Sequence, residues 1–264
     1  MDCARAASEM AAALIVFSHI RNTGNTGDLA SCPAEYFDFP EHRVQNYDEP
    51  LGDCDTVIYG GGTMNNWLQG RPLSSATSIA WGIGSSRHGE TEPWPDPHGF
   101  ALVGVREWSE DREWAGLWAP CASCMSPLFD KPGPRTRQAV LFVNASPGIR
   151  DRYPIAVGGL PLMGNDRPFA EIVASLASAA VVVTDSYHGC WFAQMLGRKV
   201  VCVPYSSKFY GFKYSVQYSD NRGLDWRARA EEALVYPDAL DECRAASRAF
   251  YKRVLETLGR RRAA

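Results

Sequence analysis

The residues best suited to chemistry in this sequence gather at positions 184–189, Thr-Asp-Ser-Tyr-His-Gly. His188 is the one histidine of the C-terminal half, and Asp185 or Ser186 just before it suits a helix N-cap. The first turn of a helix presents unpaired N–H groups and a partial positive charge, so His188 stands where an anion is expected to bind. A histidine that merely caps or packs is the other reading of the same position. Three consecutive glycines, Gly60, Gly61 and Gly62, expose backbone N–H groups and let a ligand approach closely, although glycine also serves any sharp strand exit.

These groups need a frame. Residues 180–184 read as a strand, the stretch up to Gly197 as a helix, and residues 200–203 as a second strand closing at Pro204. In the N-terminal half, residues 13–17, 56–59, 78–81 and 100–105 read as strands, ending in a polar Asn- and Gly-rich loop up to Asp28, in Gly-Gly-Gly-Thr, in Gly82-Ile83-Gly84 and in Arg106-Glu107. Apolar strands that each finish in small or charged residues predict a parallel sheet with a site along one edge. Nothing matches GxGxxG or the P-loop, so neither a dinucleotide nor a nucleoside triphosphate is indicated and no cofactor is expected.

Residues 85–98 are rich in proline and charge and predict a surface loop, from which Arg87, His88 and His98 face either a substrate or water. The segment 130–137, Asp-Lys-Pro-Gly-Pro-Arg-Thr-Arg, breaks any regular element and divides the chain into expected domains 1–133 and 134–264. Beyond it, residues 139–143 and 155–157 read as strands and 168–178 as a helix. Two helices, 227–234 and 237–258, are expected to end the fold. No internal repeat is visible.

A chain of 264 residues with 45% hydrophobic content holds one large or two modest domains at about 100–200 residues each. No apolar run of about 18 residues predicts a membrane span, and the apolar stretch 11–17 is too short for one, so the expected location is cytoplasmic. The net charge of -3 gives no general attraction for nucleic acid and leaves room for a local basic pocket. Arg260, Arg261 and Arg262 read as a solvated tail. Of the eight cysteines only Cys121 and Cys124 form a CxxC pair, without a second pair or histidines at ligand spacing, so the expectation is reduced thiols and no metal.

In order along the chain, residues 22–28 (NTGNTGD), 60–63 (GGGT), 81–84 (WGIG), 104–109 (GVREWS), 120–126 (PCASCMS) and 179–204 together resemble the polysaccharide pyruvyltransferase family. That resemblance implies an α/β fold of two Rossmann-like domains facing across a cleft, similar to the two-domain glycosyltransferase B architecture. The N-terminal domain would take the acceptor and the C-terminal one phosphoenolpyruvate. It implies transfer of a pyruvyl group from phosphoenolpyruvate to a sugar, or to a lipid-linked oligosaccharide in peripheral contact with a membrane, as a ketal with release of phosphate. His188 matches the family's signature histidine, for phosphoenolpyruvate binding or acid catalysis. Arg106, with Glu107 and Ser109 after it, matches an anion-binding arginine, and Asp28 and Gly60, Gly61 and Gly62 match loops lining the cleft. Many members carry an arginine two positions before the histidine, where this chain has Ser186, so some anion affinity must come from elsewhere, with Arg106, Arg21, Arg87 and Lys208 as candidates. The chain also looks shorter than most members, which leaves open a trimmed acceptor site.

The chemistry sets its own demands. Phosphoenolpyruvate brings a carboxylate and a phosphate, which call for guanidinium, ammonium and backbone donors. Ketal formation protonates C3, adds one hydroxyl at C2, expels phosphate and closes with a second hydroxyl, and every step moves a proton. A histidine near its ordinary pKa of about 6.5 serves in either direction. An ion pair with Glu107 is the competing reading of Arg106. Trp67, Trp81 and Trp191 are candidate platforms for a pyranose ring or else core residues, and Asp185 and Tyr187 are candidate partners of sugar hydroxyls. A nucleotide-sugar glycosyltransferase and a non-catalytic glycan-binding protein are the rival functions.

Overall fold

The computed structural model of the chain describes residues 14–68, 77–90, 99–108, 117–220 and 222–262. Eleven strands form two parallel sheets among them. The first contains β1 (Ile15–His19), β2 (His42–Asn46), β3 (Thr56–Gly60), β4 (Thr77–Ile83), β5 (Leu102–Val105) and β6 (Leu117–Trp118), in the order β2-β1-β3-β4-β5-β6. The second contains β7 (Arg137–Val143), β8 (Leu162–Gly164), β9 (Ala179–Thr184), β10 (Lys199–Cys202) and β11 (Gln217–Tyr218), in the order β11-β10-β9-β7-β8. All pairings are parallel. The molecule is therefore α/β with two parallel sheets, compatible with Rossmann-like folding units.

Parallel strands need both faces covered, and β1, β3 and β4 are buried along their whole length. The covering helices are α1 (Thr26–Leu29), α2 (Met64–Leu68), α3 (Pro147–Arg152), α4 (Phe169–Ala177), α5 (Tyr187–Met195), α6 (Trp226–Glu232) and α7 (Ala239–Arg262). In each sheet the second strand in chain order lies outside the first and later strands build on the other side. The winding thus reverses between β1 and β3, and again between β7 and β9. Ligands of such sheets bind beyond the carboxyl ends of the strands at that reversal, so the topology marks two strand-end crevices before any side chain is considered.

Helix α7 ties the two cores together. Its first turns bury Ala239 and Cys243 with the α5 side chains, while Phe250 and Val254 pack with Ile15, Phe17, Ile58 and Trp81 of the first sheet. The Phe250 ring meets Trp81 edge-on at 5.0 Å, and a Cβ on Gly104 would sit 2.6 Å from the same ring. A buried phenylalanine is worth about 1.5–3 kcal/mol, so α7 is a structural clasp as well as a terminal helix. Arg244 donates to the carbonyls of Cys124 and Ser126 at 2.9 Å each, which pins the 3-10 turn Ala122–Met125.

Several expectations need correction. Residues 155–157 form no strand; the edge strand is β8, Leu162–Gly164, whose three residues are too few to show a strand period. The expected exit at Gly82 is an irregularity inside β4, where Gly82 takes φ +58° and the strand continues to Ile83. Strands β2, β6 and β11 escape sequence reading because two of them hold two residues each and β2 begins with polar His42 and Arg43. Ala13, His98 and Ser109 lie outside the described residues. No helix among the described residues is long and apolar enough to cross a membrane.

Candidate functional site

Strand β9 carries the chain to the winding reversal of the second sheet, and Ser186 turns it into α5. Ser186, with extended backbone, caps the helix: its Oγ accepts the Gly189 N–H at 3.4 Å. Thr184 Oγ1 accepts the Ser186 N–H at 3.0 Å. Gly189 makes this turn sterically possible, since a Cβ there would run into Thr184 Oγ1 and lie 2.5 Å from the Phe142 ring. Every residue of α5 is buried, and His188 in its first turn is only 3% exposed. Its ring rests on Gly27, where a side chain would overlap Nδ1, and its Nε2 lies 3.7 Å from Cys121 Sγ.

Arg106 enters from the other sheet. It follows β5 directly, its N–H bonds Ile83 O at 3.2 Å, and its side chain is 2% exposed. Nε is 3.3 Å from Glu107 Oε1, which also accepts the Ser85 N–H at 3.1 Å. The guanidinium lies over the Tyr187 ring at 3.9 Å, and that ring stacks on Phe212. A Cβ on Gly84 would overlap Arg106 Nε, and one on Gly211 would meet Glu107, so two glycines clear the space. Among the described residues Arg106 Nη2 and Glu107 Oε2 are buried without partners. The ion-pair reading and the anion-site reading of Arg106 thus both describe it: one edge of the guanidinium is paired and another is unspent.

The two sheets meet around a polar cavity of about 70 Å³ lined by Asp28, Gly62, Arg106, Ser186, Tyr187, His188 and Lys208, together with Asn25, Thr63 and Asn144. At about 30 Å³ per liquid water, that is room for a phosphoryl- or carboxylate-sized group. Asn25, Asp28, Thr63 and Asn144 also line an open cavity of about 650 Å³, whose walls include Trp67, Tyr47, Asn165 and Asp166. Trp67 is 44% exposed and tilted against Tyr47 at 4.9 Å. No protein-family model matches this chain, and no curated protein matches it. The site is therefore read from its own geometry.

Its electrostatics are set by burial beside fixed cations. Burial, then Arg106 and Lys208, push His188 well below its ordinary pKa, so the unliganded ring is neutral at pH 7. The titrating histidine expected from sequence is corrected accordingly: a proton on His188 is affordable only when a bound anion offsets the cations. Burial raises the Asp28 carboxyl, partly opposed by Arg106, Lys208 and a hydrogen bond from Asn25 Nδ2 at 2.8 Å. Burial works against the Arg106 cation, but Tyr187, Glu107, Cys121 and Asp28 outweigh it and raise its pKa. Lys208 Nζ donates to Tyr205 Oη at 2.7 Å from a 3-10 turn, Ser207–Tyr210.

The remaining candidates lie elsewhere. Asp185 is neither the cap nor a wall of the small cavity; its Oδ1 accepts the Asn144 N–H at 2.7 Å, and it lines a separate cavity of about 440 Å³ beside Val143 and Arg150. Burial lifts its pKa to about 6, with the Asn144 bond and Lys208 opposing. Gly60 packs under Trp81 O and the His19 ring, and Gly61 against Ser31; neither lines the small cavity, whereas Gly62 does, at φ +55°. Tyr187 supports Arg106 with its ring face. Trp81 and Trp191 are core residues, 1% and 3% exposed, which leaves Trp67 as the open platform. Arg21 pairs with Glu35 and Arg87 with Glu90, away from the cavity. His88 bonds Tyr153 Oη through Nδ1 at 3.1 Å.

Sequence reading missed Asn144 and Asn165, and took Cys121 only as half of a CxxC pair. Asn144 is the first residue after β7, a position the strand-end rule would have flagged. Asn165 follows β8; its Oδ1 accepts the Ala145 N–H and its Nδ2 is buried without a partner beside the larger cavity. Cys121 reaches His188 only through folding, 67 residues away in sequence.

Proposed function

We propose that this chain is a pyruvyltransferase that moves the pyruvyl unit of phosphoenolpyruvate onto a sugar hydroxyl pair of a glycan precursor as a ketal and releases phosphate. The observation that carries the reading is Arg106, a buried guanidinium with an unpartnered Nη2, in the wall of a phosphate-sized cavity that it shares with His188 and Lys208. A cation buried to this degree gains most from an anionic ligand, because low local polarity strengthens the attraction. The adjoining cavity, with exposed Trp67 and unspent Asn165 Nδ2, suits a pyranose ring with its apolar face on the indole and hydroxyls on amides. In this reading the two parallel sheets are the halves of an architecture like glycosyltransferase B, with 1–133 on the acceptor side and 134–264 on the phosphoenolpyruvate side.

The residues divide the reaction between them. Arg106, Lys208 and the N-terminus of α5 hold the phosphate. Asp28 lies in both cavities and has a raised pKa, so it is the group suited to deliver a proton to C3 and to take one from the attacking hydroxyl. A sugar oxygen bonds to C2 and gives its proton to Asp28, the C2–O–phosphate bond breaks, and the second hydroxyl closes the ketal as its proton passes to the departing phosphate. His188, neutral before binding, donates a hydrogen bond to the phosphate as its charge grows, the anion itself raising the ring's basicity. Ser186 supplies a cap where many relatives of the resembled family carry an arginine, and the fixed cation comes from Arg106 in the opposite sheet.

The test incubates the purified chain with phosphoenolpyruvate and a panel of hexose and N-acetylhexosamine glycans, reading phosphate release and the mass added to the acceptor. Ketal formation lost in Arg106→Ala and His188→Ala, with circular dichroism unchanged, is the expected result. Thermal stabilisation by a nucleoside diphosphate and none by phosphoenolpyruvate would favour a nucleotide-sugar enzyme instead.

A further inference from the structure

Behind His188 runs a buried chain of hydrogen-bonding groups that the proposed reaction does not use directly. Trp191 Nε1 lies 3.1 Å from Ser123 Oγ, Ser123 Oγ 3.1 Å from Cys121 Sγ, and Cys121 Sγ 3.7 Å from His188 Nε2. All four residues are at least 95% buried. Cys121 and Ser123 belong to a turn pinned by Arg244 from α7, whereas Trp191 and His188 both stand on α5. The geometry is held from both ends.

The direction of each hydrogen bond follows from one group that has no choice. An indole N–H only donates, so Ser123 Oγ accepts from Trp191. The Ser123 hydroxyl hydrogen then needs an acceptor, and among the described residues Cys121 Sγ is the partner within reach. The Ser123 backbone N–H also bonds the same sulfur. With two donors directed at it, the sulfur has its own S–H left to give, and His188 Nε2 is the nitrogen it faces. We infer that the Trp191–Ser123–Cys121 chain fixes neutral His188 as the tautomer with its proton on Nδ1, the ring nitrogen turned away from Cys121. Cys121 is thus a positioning residue.

Burial supports this in two ways: it raises the Cys121 thiol, which stays protonated and keeps its S–H, and it leaves His188 with a single ring proton to assign. Nδ1 has no hydrogen-bond partner among the described residues, and His188 lines the small cavity. The use of that Nδ1–H as a donor to phosphate rests on the function proposed above; the tautomer does not.

The experiment is nitrogen-15 NMR of histidine-labelled protein without ligand at pH 7.5, with the His188 signals assigned by their loss in His188→Gln. The expected spectrum has Nδ1 protonated and Nε2 bare. Cys121→Ser, which keeps a donor, retains it; Cys121→Ala and Ser123→Ala move it at least tenfold toward the Nε2–H form. A wild-type spectrum with Nε2 protonated overturns the inference without any variant, and so does a tautomer unmoved in both alanine variants. Inorganic phosphate is then titrated in. An Nδ1–H signal that shifts on saturation supports the donor role, and one that does not move removes that role, counting against the pyruvyl-transfer reading while the tautomer stands.

Discussion

The β3-to-α2 connection and the β9-to-α5 connection occupy the same place in their sheets and are built for different work. Strand β3 ends at Gly60, and the chain passes through Gly61 and Gly62, both at positive φ, into a five-residue helix. After β9 it passes through Asp185 and Ser186 into a capped nine-residue helix with His188 in its first turn. The first connection gives space and a close backbone; the second gives oriented dipoles and a titratable ring. The permanent charge comes from neither, but from Arg106 at the end of β5. Arg106 in turn helps hold His188 neutral across the boundary between the sheets. Two crevices of one topology become one site because each lacks what the other supplies.

The same contrast appears in two buried histidines. His19 ends β1, is fully buried, and has no partner on either ring nitrogen among the described residues; burial, then Arg21, lower its pKa to about 3. His188 is equally buried but has a thiol behind it and a cavity beside it. Burial alone therefore does not distinguish the two histidines; access to a cavity does.

If Arg106 is the fixed charge of the site, its loss should have the largest effect. Arg106→Met is expected to lower pyruvyl transfer by about 10²–10³-fold, the usual cost of one preorganised donor. It also strands Glu107, a loss of about 3–5 kcal/mol in urea unfolding. Adding Glu107→Gln should recover much of that stability and none of the activity; recovery of both would make the pair purely structural. His188→Gln should keep the melting temperature and cost roughly 10²-fold or more in kcat, measured by phosphate release.

Gly27→Ala tests whether the first half positions the ring of the second, because the new Cβ overlaps His188 Nδ1. A displaced ring is expected to cost up to about 10²-fold in kcat, with little change in the KM for phosphoenolpyruvate. Wild-type kinetics in that variant would break the link between the halves.

The pH dependence separates the two histidines thermodynamically. His19 has a folded pKa below its unfolded one, so below about pH 6.5 the unfolded chain takes up a proton that the native chain refuses. Its contribution is present above pH 6.5 and lost on acidification, at up to about 1.4 kcal/mol per pH unit. His188 has the same sign, while Asp185, raised to about 6, has the opposite one between about pH 4 and 6. The stability difference between wild type and His19→Leu in urea should therefore move by about that slope from pH 6.5 to 5. A constant difference would mean that His19 is protonated in the native state. The smallest effect is expected from Trp67→Ala: a rise of about tenfold or less in acceptor KM, from lost stacking of about 0.5–1.5 kcal/mol, with phosphoenolpyruvate binding unchanged.

Much of the site frame was legible because strand ends carry local signals. A run of β-branched residues ending in Thr184-Asp185-Ser186 announces both the strand and the cap, and Val105 running into Arg106 announces a charge at a sheet edge. Asp185 and Ser186 could not be ranked as caps from sequence, since both side chains accept well. The choice was made by the Asn144 N–H, which occupies the Asp185 carboxylate. Trp67, Trp81 and Trp191 carried equal sequence signals and ended in an open cavity, under α7 and against Ser123 respectively. The edge strand β8, with Asn165 after it, holds only three residues, too few for a readable period.

What the sequence determined by itself was a set of local preferences: which segments become parallel strands, where a helix begins, and that His188 and Arg106 each follow a strand end. Those preferences are set by backbone sterics and side-chain period, which act over a few residues. Only the tertiary structure decided that the two strand ends face one cavity, that Gly27 and Gly84 leave room for the rings and charges between them, and that Cys121 stands behind His188. Desolvation and hydrogen-bond direction depend on what surrounds a group in space, and that came into being when the two sheets and α7 packed together.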